Sequence, residues 1–200
     1  MKKTKRSDRN LLKNNYFQSW KYLKESKNFI YIIMVLFFVF ALIGFFIPAP
    51  NFIVEQILEF INELLEKTQY MSQWGLIQFI FLNNLQTSFF GIILGIFLGI
   101  LPIIATVVNG YVLGFVTSLS VVSGGGSVLW KLLPHGIFEL PAVFISLGLG
   151  LKLGSFIFQK KKIDLFKEYF WNSIKVFLFI IIPLLIIAAI IEGTLIFFVK

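Results

Sequence analysis

The stretch Pro134-His135-Gly136-Ile137-Phe138-Glu139-Leu140-Pro141 decides how this chain is read. It holds the only histidine of the sequence. It sets that histidine with a carboxylate, a glycine and two prolines inside the mainly apolar segment 128–151. If the segment lies at membrane depth, a carboxylate there costs about 2.5–3.5 kcal/mol on insertion scales, and an ionisable residue so placed marks a functional site by default. His135 and Glu139 are four residues apart and would share one face of a helix. The two prolines predict a broken or kinked helix, which a membrane tolerates where neighbouring groups re-satisfy the backbone.

Composition supports a lipid solvent. Of 200 residues, 58% are hydrophobic, 25 are phenylalanine, and only 14% are charged, against about 25% charged in a soluble domain. A soluble core of this size cannot hide so much apolar surface. The net charge of +8 would suggest nucleic acid in a soluble domain. Here the basic residues sit in the N-terminal stretch and around Lys160-Lys161-Lys162, beside apolar runs. That placement suits membrane orientation and anchoring, and no nucleic-acid partner is expected. The absence of cysteine excludes disulfides, thiolate metal sites and cysteine nucleophiles.

Outward from the opening stretch, the apolar segments predict an all-α polytopic transmembrane bundle of about five spans, at 29–48, 76–101, 103–122, 129–158 and 172–198. Residues 1–28 read as a basic cytoplasmic tail or an interfacial helix, with Tyr16, Phe17, Trp20 and Tyr22 among the lysines. Residues 29–200 form a single transmembrane domain. Residues 51–67 read as an amphipathic outer helix. Ile53, Ile57, Phe60, Ile61, Leu64 and Leu65 make one stripe, with Glu55, Glu59, Glu63 and Glu66 elsewhere. It is expected on the membrane surface, on a partner, or as a solvated cover of the bundle. The basic excess places the N-terminus in the cytoplasm and, after five crossings, the C-terminus outside. No charge falls between residues 85 and 122, so the turn between the second and third spans is expected either near Pro102 or near Asn109-Gly110. Spaced glycines, Gly91, Gly95 and Gly99, then Gly110 and Gly114, then Gly150 and Gly154, are candidates for close helix packing in lipid.

Polar residues at membrane depth are the candidate site: Asn83, Asn84, Asn109, His135, Glu139 and Glu192. Together they would handle protons, a cation or a small polar solute. Alternatively they bond one another and the helix kinks, as interhelical polar groups do. No second histidine completes a metal set around His135 and Glu139, and no metal or other cofactor is expected. No Gly-x-Ser-x-Gly elbow and no phosphate-binding Gly-x-x-x-x-Gly-Lys loop occurs.

Phe81-Leu82-Asn83-Asn84, the glycine-spaced helix, Asn109-Gly110 with Gly114, the opening Pro-His-Gly-x-x-Glu-Leu-Pro run and Ala189-x-x-Glu192-Gly193 occur in that order. In this the chain resembles the stage II sporulation protein M family of integral membrane proteins, over about residues 74–194 and in the layout of the N-terminal third. The resemblance implies about five spans. It also implies a non-enzymatic scaffold, since the sporulation member works during engulfment in a membrane complex with a peptidoglycan-degrading enzyme and a second anchored partner. It carries over no catalytic residues. The expected function is a scaffold or partner-recruiting component of an envelope complex, with a transporter or channel component as the alternative. The expected partners are the bilayer, other membrane or envelope proteins and further copies of the chain.

Overall fold

A computed structural model describes the backbone of residues 2–47, 49–124 and 129–199, and the side chains of residues 13–47, 49–122 and 139–198. Among these the secondary structure is helical, without a strand. The helices are α1 (Lys2–Glu25), α2 (Lys27–Phe46), α3 (Asn51–Thr68), α4 (Gln73–Ile93), α5 (Ile100–Gly124), α6 (Leu129–Gly154), α7 (Lys162–Val176) and α8 (Ile182–Val199). Five stretches are long and apolar enough to cross a membrane: Lys27–Phe46, Gln73–Ile96, Ile100–Val122, Glu139–Phe158 and Lys162–Phe198. The chain is a multi-pass membrane protein.

Helix α6 is the axis of the bundle. Its membrane window is 56% buried, against 17% to 39% for the other four. One side meets Phe37 of α2, whose ring lies 5.1 Å from that of Phe144. The other side contributes Ala142 and Leu149 to a core with Ile92, Val176, Ile181 and Leu185. The backbone stays helical through Pro134 and Pro141, so neither proline breaks α6. A third proline is accommodated differently. Pro183 cannot donate to the helix, and a π-turn at Phe177–Ile181 lies immediately before it and joins α7 to α8. The resulting rod of 37 residues is about 55 Å long at 1.5 Å per residue, so its lysine-bearing first part extends past the roughly 30 Å hydrocarbon core.

Close contacts set the directions of the spans. Gly110 lies against Phe37, a Cβ there falling 2.5 Å from the Phe37 carbonyl oxygen, and Gly114 lies against Ala41, so α2 and α5 run parallel. Gly91 faces Leu147 and Gly95 faces Gly150, so α4 and α6 run parallel to each other. Ile30 against Gly148 together with Phe37 against Phe144 turns α2 opposite to α6, and Ile77 against Gly193 together with Phe89 against Phe177 turns the α7–α8 rod opposite to α4. These directions alternate along the chain, as five successive crossings require.

The uncharged interval is divided by a turn that composition left open. Helix α4 ends at Ile93, a 3-10 turn covers Leu94–Ile96, and α5 starts at Ile100. Leu98 (φ 60) and Gly99 (φ 72) are both left-handed. The leucine costs on the order of 1–2 kcal/mol there, whereas glycine adopts the conformation freely. Gly99 is therefore a turn residue and not the third member of a helical glycine face. Pro102 sits in the first turn of α5, where its missing N–H would have no intrahelical acceptor. Asn109-Gly110 lies inside the helix.

Two helices lie outside the membrane windows. The N-terminal residues form α1, which docks on α7: Tyr22 packs on Tyr169, and the Lys175 ammonium donates to Gln18 Oε1 at 2.8 Å. Helix α3 stands apart. Ile57 is its buried residue, while Phe52, Phe60 and Leu65 are 63%, 57% and 59% exposed. The stripe is thus incompletely covered by the bundle.

Candidate functional site

Parallel packing of α4 on α6, and of α5 on α2, leaves α4 and α5 splayed apart above their shared turn. Between them is a cavity of about 1120 Å³ with α6 and Phe37 at its back. The glycines explain the geometry. A Cβ on Gly95 would fall on the Gly150 carbonyl, and one on Gly114 would fall on the Ala41 carbonyl. Both contacts bring backbones together and hold the helices at fixed separations. Asn84, Ser88 and Gly91 on α4, and Gly95 in the 3-10 turn that follows it, keep a spacing of three to four residues, and all four are buried.

Asn83, Asn84, Asn109 and Glu139 all line this cavity. Asn83 and Asn109 are exposed in the isolated chain, Asn84 is buried and Glu139 is half-buried. Part of the asparagine chemistry is used locally: Asn109 Nδ2 donates to the Ala105 carbonyl at 2.7 Å. Glu192 does not line the cavity. It is half-buried on α8, near the point where the Gln73 amide donates to Thr194 Oγ1 at 3.1 Å. The His135 side chain, and with it any pairing to Glu139, lies outside the described residues. Among the described residues, no three histidine, aspartate or glutamate side chains gather in a metal-binding group.

Two features escaped the sequence reading. Gln86, Thr87 and Ser88 extend the asparagine pair along the cavity wall. Ser88 Oγ is buried with no hydrogen-bond partner among the described residues. A run of amide and hydroxyl side chains from 83 to 88, broken only by Leu85, was the available signal. The other is Lys152, read as part of an apolar span. It is 7% exposed, in the last turn of α6, where a cation is favoured by the helix dipole. Its ammonium donates to Ser26 Oγ at 3.0 Å and lies 3.8 Å from the Tyr22 ring centroid and 5.2 Å from that of Tyr169. Cation–π attraction of this kind grows as the site is desolvated. Burial also pushes the Tyr22 phenol above its usual range, so that it stays neutral. A lone lysine in an otherwise apolar window, with tyrosines in the flanking polar segments, was the sign of such a box.

The sequence profile of the stage II sporulation protein M family matches residues 33–195 of this chain. An uncharacterized protein of Methanocaldococcus jannaschii is 35% identical over 123 residues, which cover 58% of this chain and 53% of the relative. The match thus spans about half the relative's length. No solved structure matches.

Proposed function

The chain belongs to the stage II sporulation protein M family, and from that premise we propose that it is a non-enzymatic membrane scaffold that positions partners at the cell envelope. The observation that carries this reading is α3. Its apolar residues Phe52, Phe60 and Leu65 are exposed, and Glu55, Glu59, Glu63 and Glu66 give it an acidic face. An amphipathic helix held off a rigid bundle is suited to laying its apolar face into a partner's groove, and the acidic rim selects a basic partner. On the positive-inside rule the N-terminal segment and Lys160-Lys161-Lys162 are cytoplasmic, and α3 and the C-terminus are outside.

Both parts are testable. In vesicles formed by extracting the membrane with a styrene–maleic acid polymer, the protein should migrate with additional mass. Phe60→Glu combined with Leu65→Glu should remove that mass and leave the thermal unfolding of the bundle unchanged. A wild-type protein that migrates as itself alone, or a complex indifferent to the α3 changes, removes the scaffold reading. The topology can be tested with single cysteines, because the chain has none of its own. A cysteine at Glu59 should react with an impermeant maleimide in intact cells, and cysteines at Ser7 and Gln159 should react only after lysis. Labelling of Gln159→Cys from outside would reverse the assignment.

A further inference from the structure

Helix α1 turns its larger apolar rings away from the bundle. Ser19, Tyr22 and Ser26 are buried, and Tyr22 and Ser26 close on Lys152 of α6. The opposite side carries two rows at helical spacing, Lys13-Phe17-Lys21 and Tyr16-Trp20-Lys24. Phe17, Tyr16 and Trp20 are 74%, 48% and 41% exposed, and the three lysines are exposed with them. The Tyr16 and Trp20 rings meet edge to face at 6.3 Å. No aspartate or glutamate lies between residues 9 and 24. Glu25 follows, 4.0 Å from the Lys21 ammonium with both side chains exposed, a contact too weak to cancel the charge of the face. The position of this face is set by the bundle. The first membrane window opens at Lys27, directly after α1 ends at Glu25, and the Tyr22 ring lies beside the last turn of α6.

We propose that the outer face of α1 binds anionic phospholipid headgroups of the leaflet on the side of Lys160-Lys161-Lys162. Three exposed rings interleaved with three lysines suit the headgroup layer and little else. Tyrosine and tryptophan rings settle where tails meet heads. Lysine stems lie along apolar surface while their ammoniums reach the phosphates. A face of one sign is drawn to an anionic layer and gains no net attraction from a zwitterionic one. An acidic soluble protein would match the lysines but not the place, since the face begins at the edge of a membrane window, where lipid is the neighbour already present. The surface continues onto α7. Trp171 is 62% exposed, two residues from the Tyr169 ring that packs on Tyr22, and the Lys160-Lys161-Lys162 run leads into that helix. Docking through Tyr22 and through the Lys175 bond to Gln18 holds α1 with its charged side outward. This surface is independent of α3 and of the scaffold reading.

The test uses the full chain with Trp74→Phe, Trp130→Phe and Trp171→Phe, which leave Trp20 as its one tryptophan. It is placed in phosphatidylcholine bilayers that contain a small fraction of brominated phosphatidylglycerol or, in parallel, of brominated phosphatidylcholine. Bromine quenches a tryptophan that it touches, so the two quenching curves give the relative affinity of the two lipids beside Trp20. A preference of at least about fivefold for phosphatidylglycerol is expected, the size of one lysine at an anionic surface. Lys13→Gln, Lys21→Gln and Lys24→Gln together should bring the ratio to about one and leave the thermal unfolding of the bundle unchanged. The chain with all its tryptophans gives a second measurement that carries the test if the phenylalanine background does not fold. Released from an equimolar mixture of the two lipids, it should retain phosphatidylglycerol in native mass spectrometry, and the three lysine changes should remove that excess. Equal affinity for the two lipids overturns the proposal, and so does a preference that survives the lysine changes. Quenching of Trp20 by aqueous iodide and by neither lipid would mean that the face looks at water, and protection from all three would mean that another protein covers it. Either result also overturns the proposal.

Discussion

Gly95→Leu is expected to lower the unfolding temperature of the bundle sharply, with a loss of about 3 kcal/mol or more, at the upper end of the usual range for overpacking. The reason is what the new side chain meets. A Cβ at Gly95 overlaps the carbonyl oxygen and Cα of Gly150, which are backbone atoms of the central helix and cannot rotate away. Either α4 lifts off α6 or the helices distort. Both outcomes also disturb the facing contact of Gly150 with the Gly91 carbonyl. Gly95→Ala carries the same overlapping Cβ and should already lose much of the stability. Gly75→Ala is the control. Its Cβ would sit 3.4 Å from Ser72 Oγ, an ordinary contact, and the change should be neutral or slightly favourable by helix propensity. Thermal unfolding of the three variants in nanodiscs checks the order. A Gly95→Leu protein that melts with the wild type would mean that α4 and α6 do not meet there.

Tyr22→Leu is expected to cost more than Lys152→Met, although the lysine is the charged member. Removing the ring leaves the Lys152 ammonium buried with Ser26 and the more distant Tyr169 ring. Breaking a buried pair from one side costs about 3–5 kcal/mol when the remaining charge is uncompensated. Ser26 retains part of the compensation, so about 2–3 kcal/mol is the expectation here. Lys152→Met removes the charge and keeps an apolar stem of similar reach. The lost cation–π and hydrogen-bond terms are then largely offset by the charge no longer being desolvated. The double variant Tyr22→Leu, Lys152→Met should recover at least half of the single loss, a coupling within the range for groups in contact. The readout is both the unfolding temperature and proteolysis of α1, which the box holds to the bundle. Additive single losses would mean that the box is not an interacting unit.

How far the sequence alone reached follows from the physics of each feature. Apolar runs of spanning length are a property of local composition, so the membrane class and five spans were legible, as was the family from the order of its motifs. The amphipathic pattern of 51–67 located α3 for the same reason. Where the chain turns between Ile93 and Ile100 was not legible. Every residue from 85 to 122 is uncharged, and Gly99 serves a left-handed turn as well as it would a helical glycine face. Continuity of α6 through two prolines depends on packing that only neighbouring helices supply. Spacing along the chain likewise says nothing of which faces meet. Asn83, Asn84, Asn109 and Glu139 came to one cavity, and Glu192 lies apart from it on α8, because glycine contacts fixed the registers of α4 on α6 and of α2 on α5. Lys152 reads as an interruption of an apolar span until Tyr22 and Tyr169, distant in sequence, close over it. Local composition determined the solvent and the number of crossings, whereas the side-chain environments were decided by tertiary packing, since burial and polar partners at membrane depth come from other helices.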